Sequence, residues 1–342
     1  MRLGLSAGYW SAGPPAGIVE QIKAAERLGF DTVWTAEAYG SDAFTPLAWW
    51  GSATSTIRLG TAIAQMSART PAATAMAAIT LDHLSGGRVV LGLGASGPQV
   101  VEGWYGEPYP RPLERTREYV DIVRQVFRRE APVEFHGRHY DIPLRGGAGL
   151  GKALKPTVHP LRSDIPIYLG AEGPKNVALS AEICDGWIPF WFSPKSDTFY
   201  REALNAGFDA AGKGAEQRAA FEVSGVLPVI IGDDVDRCAD MIRPMIALYA
   251  GGMGARDANF HFDVFARMGW EEVCVKVQDL YLAGRKVEAM SAIPLEMVED
   301  VALVGPVDKI ARDAQVWKDS CLTSVTVGGS TKHLEMIADI LG

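Results

Sequence analysis

Residues 91–106, LGLGASGPQVVEGWYG, form a glycine-rich stretch without histidine, cysteine or aspartate, placed directly after the apolar pair Val89-Val90. The chemistry on offer there belongs to the backbone. Glycines let the main chain approach a ligand closely, and Gly97-Pro98 can open a helix whose free N–H groups face the same space. The pattern recurs in LGAEGPKNVAL, residues 169–179, where Pro174 stands in a first helical turn and Lys175 and Asn176 lie within reach of a phosphate. One glycine turn after a strand is ordinary; two at equivalent strand ends point to a shared grip on one phosphorylated cofactor.

Other chemistries are poorly supplied. Among six histidines only His136 and His139 are closely spaced, and Gly137-Arg138 between them reads as a surface hairpin, so no metal centre is expected. Cys184, Cys238, Cys274 and Cys321 lie far apart, as suits reduced thiols buried as small apolar groups rather than a disulfide or zinc framework. A net charge of -8 with no Lys/Arg run argues against nucleic acid and leaves a small molecule as the expected partner. No run has the apolar length of a membrane span, and MRLGLSAGYW lacks the core of a signal peptide, so a cytoplasmic protein is expected.

The elements that must position these loops alternate regularly. RLGLSA reads as a buried strand; AGIVEQIKAAERLGF then places Ile18, Ile22, Ala25 and Leu28 on one helical face, with Gly29 as its stop. DTVWTAE, IRLGTAIA and RVVLGLG follow as strands two to four, each after a helix, and IPIYLG, GWIPFW, FEVSGVLPVIIG and LTSVTVGG supply four more. Eight strand–helix pairs predict an α/β fold, a (β/α)8 TIM barrel in a single domain over 1–342. A hairpin insertion is expected near 133–143 and a mostly helical one near 251–304, after a seventh helix in DVDRCADMIRPMIALYA.

A barrel of this kind places its site at the C-terminal ends of the strands. Those ends gather Tyr9, Trp10, Tyr39, Trp191 and Phe192, which suit the walls of an apolar substrate pocket, although core packing explains each one equally well alone.

The ordered set AAERLGFDTVWTAE, residues 57–106, FHGRHYDIP and PIYLGAEGPKNVALSAEICDGWIP resembles the bacterial-luciferase-like flavin and deazaflavin oxidoreductases, most closely the branch that uses coenzyme F420. The resemblance implies a TIM barrel with insertions that binds the tricyclic ring at the C-terminal mouth and its phosphate on the loops after strands four and five. Carried over, cofactor contacts fall on Gly94, Ala95, Ser96, Gly97 and Val100, and on Gly170, Ala171, Glu172, Gly173, Lys175 and Asn176. It also implies a cis peptide at Ala62–Ile63 behind the central ring, and a homodimer with PLAWWGSATS and AATAMAAITL as a candidate face. Deazaflavin dehydrogenases of the family carry a histidine after strand two and a glutamate in the strand-four loop. Here those places read TAEAYGSD and GASGPQ, so Glu37 becomes the candidate cofactor-facing acid, with Gln65, Tyr39 and Glu172 as hydrogen-bonding partners; a solvated carboxylate explains either glutamate equally. The expected activity is hydride transfer between F420 and a small or medium organic substrate. An FMN-dependent monooxygenase and a non-catalytic F420-binding protein are the alternatives.

Overall fold

All six residues of Val89–Gly94 are buried, as befits a strand covered on both faces, and they form one stave of a closed barrel. The computed structural model describes residues 1–7, 10, 12–254, 256 and 259–342. Its barrel strands are β1 (Arg2–Ser6), β2 (Thr32–Thr35), β3 (Arg58–Thr61), β4 (Val89–Gly94), β5 (Ile167–Gly170), β6 (Gly186–Ile188), β7 (Glu222–Val226) and β8 (Ser324–Val327). Each pairs in parallel with its neighbour in sequence order, and β8 closes on β1 with Arg2 opposite Ser324. This is the (β/α)8 TIM barrel that the alternation of elements predicts.

The helices covering the barrel are α1 (Ile18–Arg27), α2 (Phe44–Gly51), α3 (Pro71–Ser85), α4 (Pro112–Arg128), α5 (Pro174–Ile183), α6 (Asp197–Ala210), α7 (Val307–Asp313) and α8 (Thr331–Leu341). Local sequence sets their ends. Thr70 caps α3 by accepting from Ala73 N, and Gly86 ends it at φ 70°, a left-handed turn that costs glycine little. Inside the barrel Trp34 packs on Tyr168, and a Cβ at Gly60 would sit 2.3 Å from the Trp34 ring, so only glycine admits the indole.

Arginines bolt the N-terminal ends of the strands together. Arg58 donates to Asp31 Oδ2 (3.1 Å) and Glu222 Oε2 (2.9 Å), and Arg2 reaches the same Glu222 oxygen at 2.8 Å. Burial alone would push the Glu222 carboxyl up, but Arg58, the Tyr168 hydroxyl and Arg2 outweigh it and hold it down at about 2. Arg88 ties off the carbonyls of Gly51 and Ile57, and Arg162 bridges Asp82 to Val89 O.

Two excursions leave the barrel. The first is a hairpin pairing Phe135–His136 with Asp141–Ile142; its turn rests on Glu118, which accepts from the N–H groups of Arg138, His139 and Tyr140. The second differs from the sequence expectation. The strand-like run 221–232 breaks after Val226, at Leu227-Pro228, where Pro228 cannot donate to a ladder; its second part, Val229–Ile231, pairs in parallel with Leu303–Gly305. The helices between them, including Val235–Asp240 and Arg243–Gly251, pack around their own core of Ile246, Val264, Phe265, Val277 and Met297. The helical insertion therefore begins near 232 rather than 251. The barrel's own seventh helix is α7, whose Ile310 joins the main core. Among the described residues no helix is long and apolar enough to cross a membrane.

Candidate active site at the C-terminal mouth

Three loops, following β2, β3 and β4, meet around one buried carboxylate. Glu37 accepts at Oε1 from Arg69 Nη2 (2.7 Å) and Ala43 N (3.2 Å), and at Oε2 from Arg69 Nη1 (2.8 Å) and Gln65 N (2.8 Å). A carboxylate offers about four lone-pair sites, and all are taken. Bonding to Glu37 in turn holds the Arg69 guanidinium above its ordinary range. These four contacts tie Glu37 to Arg69, Ala43 and Gln65. What it positions is Gln65, whose Nε2 donates to Glu37 O (3.0 Å) and Ser96 Oγ (3.1 Å) while its buried Oε1 has no partner.

The glycines at the ends of β4 and β5 answer to a neighbour in the fold. A Cβ at Gly94 would lie 2.6 Å from Ile63 Cδ1 and one at Gly170 would lie 2.9 Å from Ile63 Cγ2, so the Ile63 side chain occupies the room they leave. The Ala62–Ile63 peptide is cis. Beyond Gly94, Ala95 packs partly buried on the main core, and Ser96 is left-handed at φ 60° with its carbonyl accepting from the Tyr109 hydroxyl at 2.9 Å. Gly97 then leads into a single turn, Pro98–Val101, where Val100 N bonds back to Gly97 O.

After β5, Ala171 is buried and its carbonyl is taken by Trp187 Nε1 at 2.8 Å. Gly173 faces open space, with nothing within 4 Å of a Cβ built there. Asn176, in the first turn of α5, buries an Oδ1 that has no partner. Lys175 borders a cleft of about 270 Å³ between α4, α5 and α6, beside the Arg117–Glu182 pair. That cleft is in the outer helix layer rather than the mouth.

The aromatic walls differ from expectation. Phe192 is 1% exposed and packs on Trp187, Tyr200 and Trp317 beneath the helices, so it is core and not pocket lining. Trp191 turns to the insertion's core, against Tyr249 and Phe265. Tyr39 is exposed, Trp10 packs partly buried on the main core, and Tyr9 lies outside the described residues. A different aromatic group gathers nearby: Phe190, stacked on Tyr249 with centroids 4.6 Å apart, with Phe260 and His261 at the start of the insertion helix Phe260–Phe265. Phe260 reaches 3.5 Å from the position of a Gly97 Cβ, which brings the insertion over the strand-four loop. Arg69, Tyr109, Phe190, His261 and Arg267 had no motif to announce them; only Asn259, a cap residue ahead of FHF, hinted at an ordered helix start.

Buried polar groups nearly always find partners, so the exceptions are informative. Among the described residues eight buried side-chain polar atoms make no hydrogen bond; of these Gln65 Oε1 and Asn176 Oδ1 stand at the strand-end loops, as do Glu172 Oε2 and His261 Nδ1, which lie 2.9 Å from each other. The unpartnered oxygens suit the N–H and O–H donors of a polar ligand, while any phosphate would fall to backbone N–H groups beside the open space at Gly173. The hairpin does not compete as a site: Glu114, Glu118 and His139 bring ligand atoms within 4.8 Å of one another, but Glu118 already serves three N–H groups and Arg111 and Arg138 flank Glu114.

The family described as luciferase-like monooxygenase matches residues 3–324, and the chain belongs to it. A Mycobacterium tuberculosis protein provisionally named a coenzyme F420-dependent oxidoreductase is 55% identical over 344 residues, covering 100% of this chain and 99% of its own. A 5,10-methylenetetrahydromethanopterin reductase of Archaeoglobus fulgidus is 34% identical over 68% of this chain and 65% of its own length. In fold, the coenzyme F420-dependent tetrahydromethanopterin reductase of Methanopyrus kandleri superposes with a TM-score of 0.82 at 23% identity, over 99% of this chain and 98% of that one.

Proposed function

We propose that this chain is a coenzyme F420-dependent oxidoreductase acting on a small or medium organic substrate. The observation that carries the reading is the cluster of unpartnered buried polar atoms at the mouth, together with the whole-chain likeness to a relative named for that coenzyme. Gln65 Oε1, Ser96, the 94–100 backbone, Gly173 and Asn176 would hold the coenzyme, with Ala62–Ile63 behind its ring and Arg69–Glu37 fixing Gln65 in place. When bound, the deazaflavin supplies or accepts a hydride at C5. The chain contributes orientation, a polar cradle, and the Phe190–Tyr249–Phe260 wall that keeps water from the reacting atoms. A homodimer belongs to the same proposal, with exposed Trp49 on α2 and Met76 on α3 at the candidate face; light scattering of the full chain measures it.

The test is a tryptophan-fluorescence titration with F420 and, separately, FMN. Saturable quenching by F420 at micromolar or lower concentration, with FMN much weaker, is the expected result and leads to a substrate screen by F420 absorbance. Tight FMN binding without any response to F420 would move the activity to oxygen-dependent flavin chemistry.

A further inference from the structure

We propose that the cleft between α4, α5 and α6 receives the oligo-γ-glutamate tail of coenzyme F420, with Lys175 as the first cation it meets. The inference rests on the coenzyme reading above and adds a second contact region to it. Its starting point is adjacency. Gly173 faces open space where the phosphate would be held, and two residues on Lys175 already borders the cleft of about 270 Å³. A chain leaving the phosphate over the start of α5 meets this cleft next.

The cleft owes its space to short side chains. Ala178 on α5 and Ala206, Gly207 and Ala210 on α6 line it, and the two helices lie so close that a Cβ at Gly207 would fall 2.0 Å from Ala178 O. Leu113 and Leu179 complete an apolar floor. The rim is charged. Arg117 holds Glu182 through two bonds of 2.7 and 2.6 Å, and Glu114 is shared at 3.6 Å by Arg111 and Arg138, with His139 Nε2 at 3.8 Å. Lys175 is exposed and pairs with no described residue. The cations Lys175, Arg111, Arg117 and Arg138 thus face the carboxylates of Glu114 and Glu182, a local positive excess on a chain whose net charge is -8.

An apolar floor under a cationic rim suits one kind of chain. Each γ-linked glutamate of the tail brings a carboxylate and a run of methylenes within the chain itself, so carboxylates can lie at the rim while methylenes cover Leu113 and Leu179. Lys175, the unpaired cation, takes the first carboxylate. FMN ends at its phosphate and gains nothing here. Exposed charges are screened by salt, so each pairing is worth a few fold in affinity at most and fades as ionic strength rises. No bond is made or broken in the cleft, whose contribution is to affinity alone.

The experiment measures Kd of the full chain by tryptophan fluorescence for F420 carrying two glutamates, for F420 carrying five, and for the tailless coenzyme that ends at phospholactate, in wild type, Lys175→Glu and Arg237→Glu. Arg237→Glu makes the same change of charge on the insertion, away from the cleft. Lysine acetylation with an N-hydroxysuccinimide ester, read by mass spectrometry, locates the tail. Expected at low salt is binding of the two-glutamate form at least about threefold tighter than the tailless form, with less than a further threefold gained from five glutamates because the cleft is finite. The preference should vanish in about 0.5 M NaCl and in Lys175→Glu but persist in Arg237→Glu. Acetylation of Lys175 should be at least about threefold slower with the tailed coenzyme than with the tailless one. No binding of any deazaflavin form refutes the parent reading. A smaller preference for the tail, a further gain of threefold or more from five glutamates, or a preference that resists salt refutes the cleft and leaves the coenzyme reading standing. So does a preference that survives Lys175→Glu or is lost equally in Arg237→Glu, or acetylation of Lys175 that the tail slows by less than threefold.

Discussion

At the N-terminal ends of the strands Arg2, Asp31, Arg58, Tyr168 and Glu222 form one satisfied network, and Arg88 and Arg162 tie off the carbonyls beside it. At the C-terminal ends Gln65 and Asn176 each bury an oxygen that makes no hydrogen bond, and the Glu172 and His261 side chains face each other at 2.9 Å without aligning as one. The same strands pass through both ends, so the contrast is a division of labour rather than a difference in packing. Pairing at one end supplies stability; at the other, hydrogen-bonding capacity is left unmet, and on the function proposed above a ligand gains what the fold forgoes. Arg69–Glu37 is the exception, a saturated pair built into the mouth, and its task is to aim Gln65.

The largest expected effect comes from breaking that exception. Arg69→Ala leaves a carboxylate that is 4% exposed without its counter-charge, and should cost about 3–5 kcal/mol in urea denaturation. An unchanged midpoint would show that the pair does not organise the mouth.

Next comes the paired end. Arg58→Met should cost about 1–3 kcal/mol, the half-buried partners being partly screened by solvent, and leave F420 affinity unaltered. The acid limb of stability gives this a signature. Glu222 sits at about 2 in the fold against an ordinary 4.5, so the unfolded chain binds the proton more readily. The stability it confers is complete above about 4.5 and drains away as pH falls toward 2. Glu26, also held at about 2 with the N–H groups of Ser55, Thr56 and Ile57 outweighing its burial, adds to the same limb. Thermal melts at several pH values should therefore show a shallower acid limb in Arg58→Met than in wild type, but not a flat one; identical slopes would remove Arg58 from the account.

The smallest effect on stability belongs to the unpaired end. Asn176→Ala deletes an acceptor that bonds nothing, so its Tm should stay within a degree or two of wild type while F420 binding weakens roughly two- to tenfold, the worth of one hydrogen bond. A large fall in Tm with unchanged binding would invert the comparison.

The barrel and the location of its site are legible in the sequence because periodicity and strand-end glycines are local signals. The details of the mouth are not. Gly94 and Gly170 read as backbone bared to a ligand, but a missing Cβ does not say what fills its place, and here Ile63 does. Trp191 and Phe192 read as one pocket wall, whereas adjacent residues at a strand end face opposite ways, one into the insertion's core and one into the barrel's. Arg69 meets Glu37 across 32 residues, and His261 meets Glu172 from a different excursion altogether, contacts that no spacing rule encodes. The insertion boundary is not legible in the sequence because an amphipathic helix does not declare which core its apolar face serves.

The pairing of Val229–Ile231 with Leu303–Gly305 has an evolutionary consequence. It fixes the exit and return of the excursion about 4.8 Å apart, one strand spacing. Doubling the length of chain between such anchors adds only about 0.6 kcal/mol of closure entropy. The segment over the mouth can therefore be lengthened, trimmed or exchanged among relatives as a cassette, altering what the pocket admits while the barrel beneath inherits its sequence undisturbed.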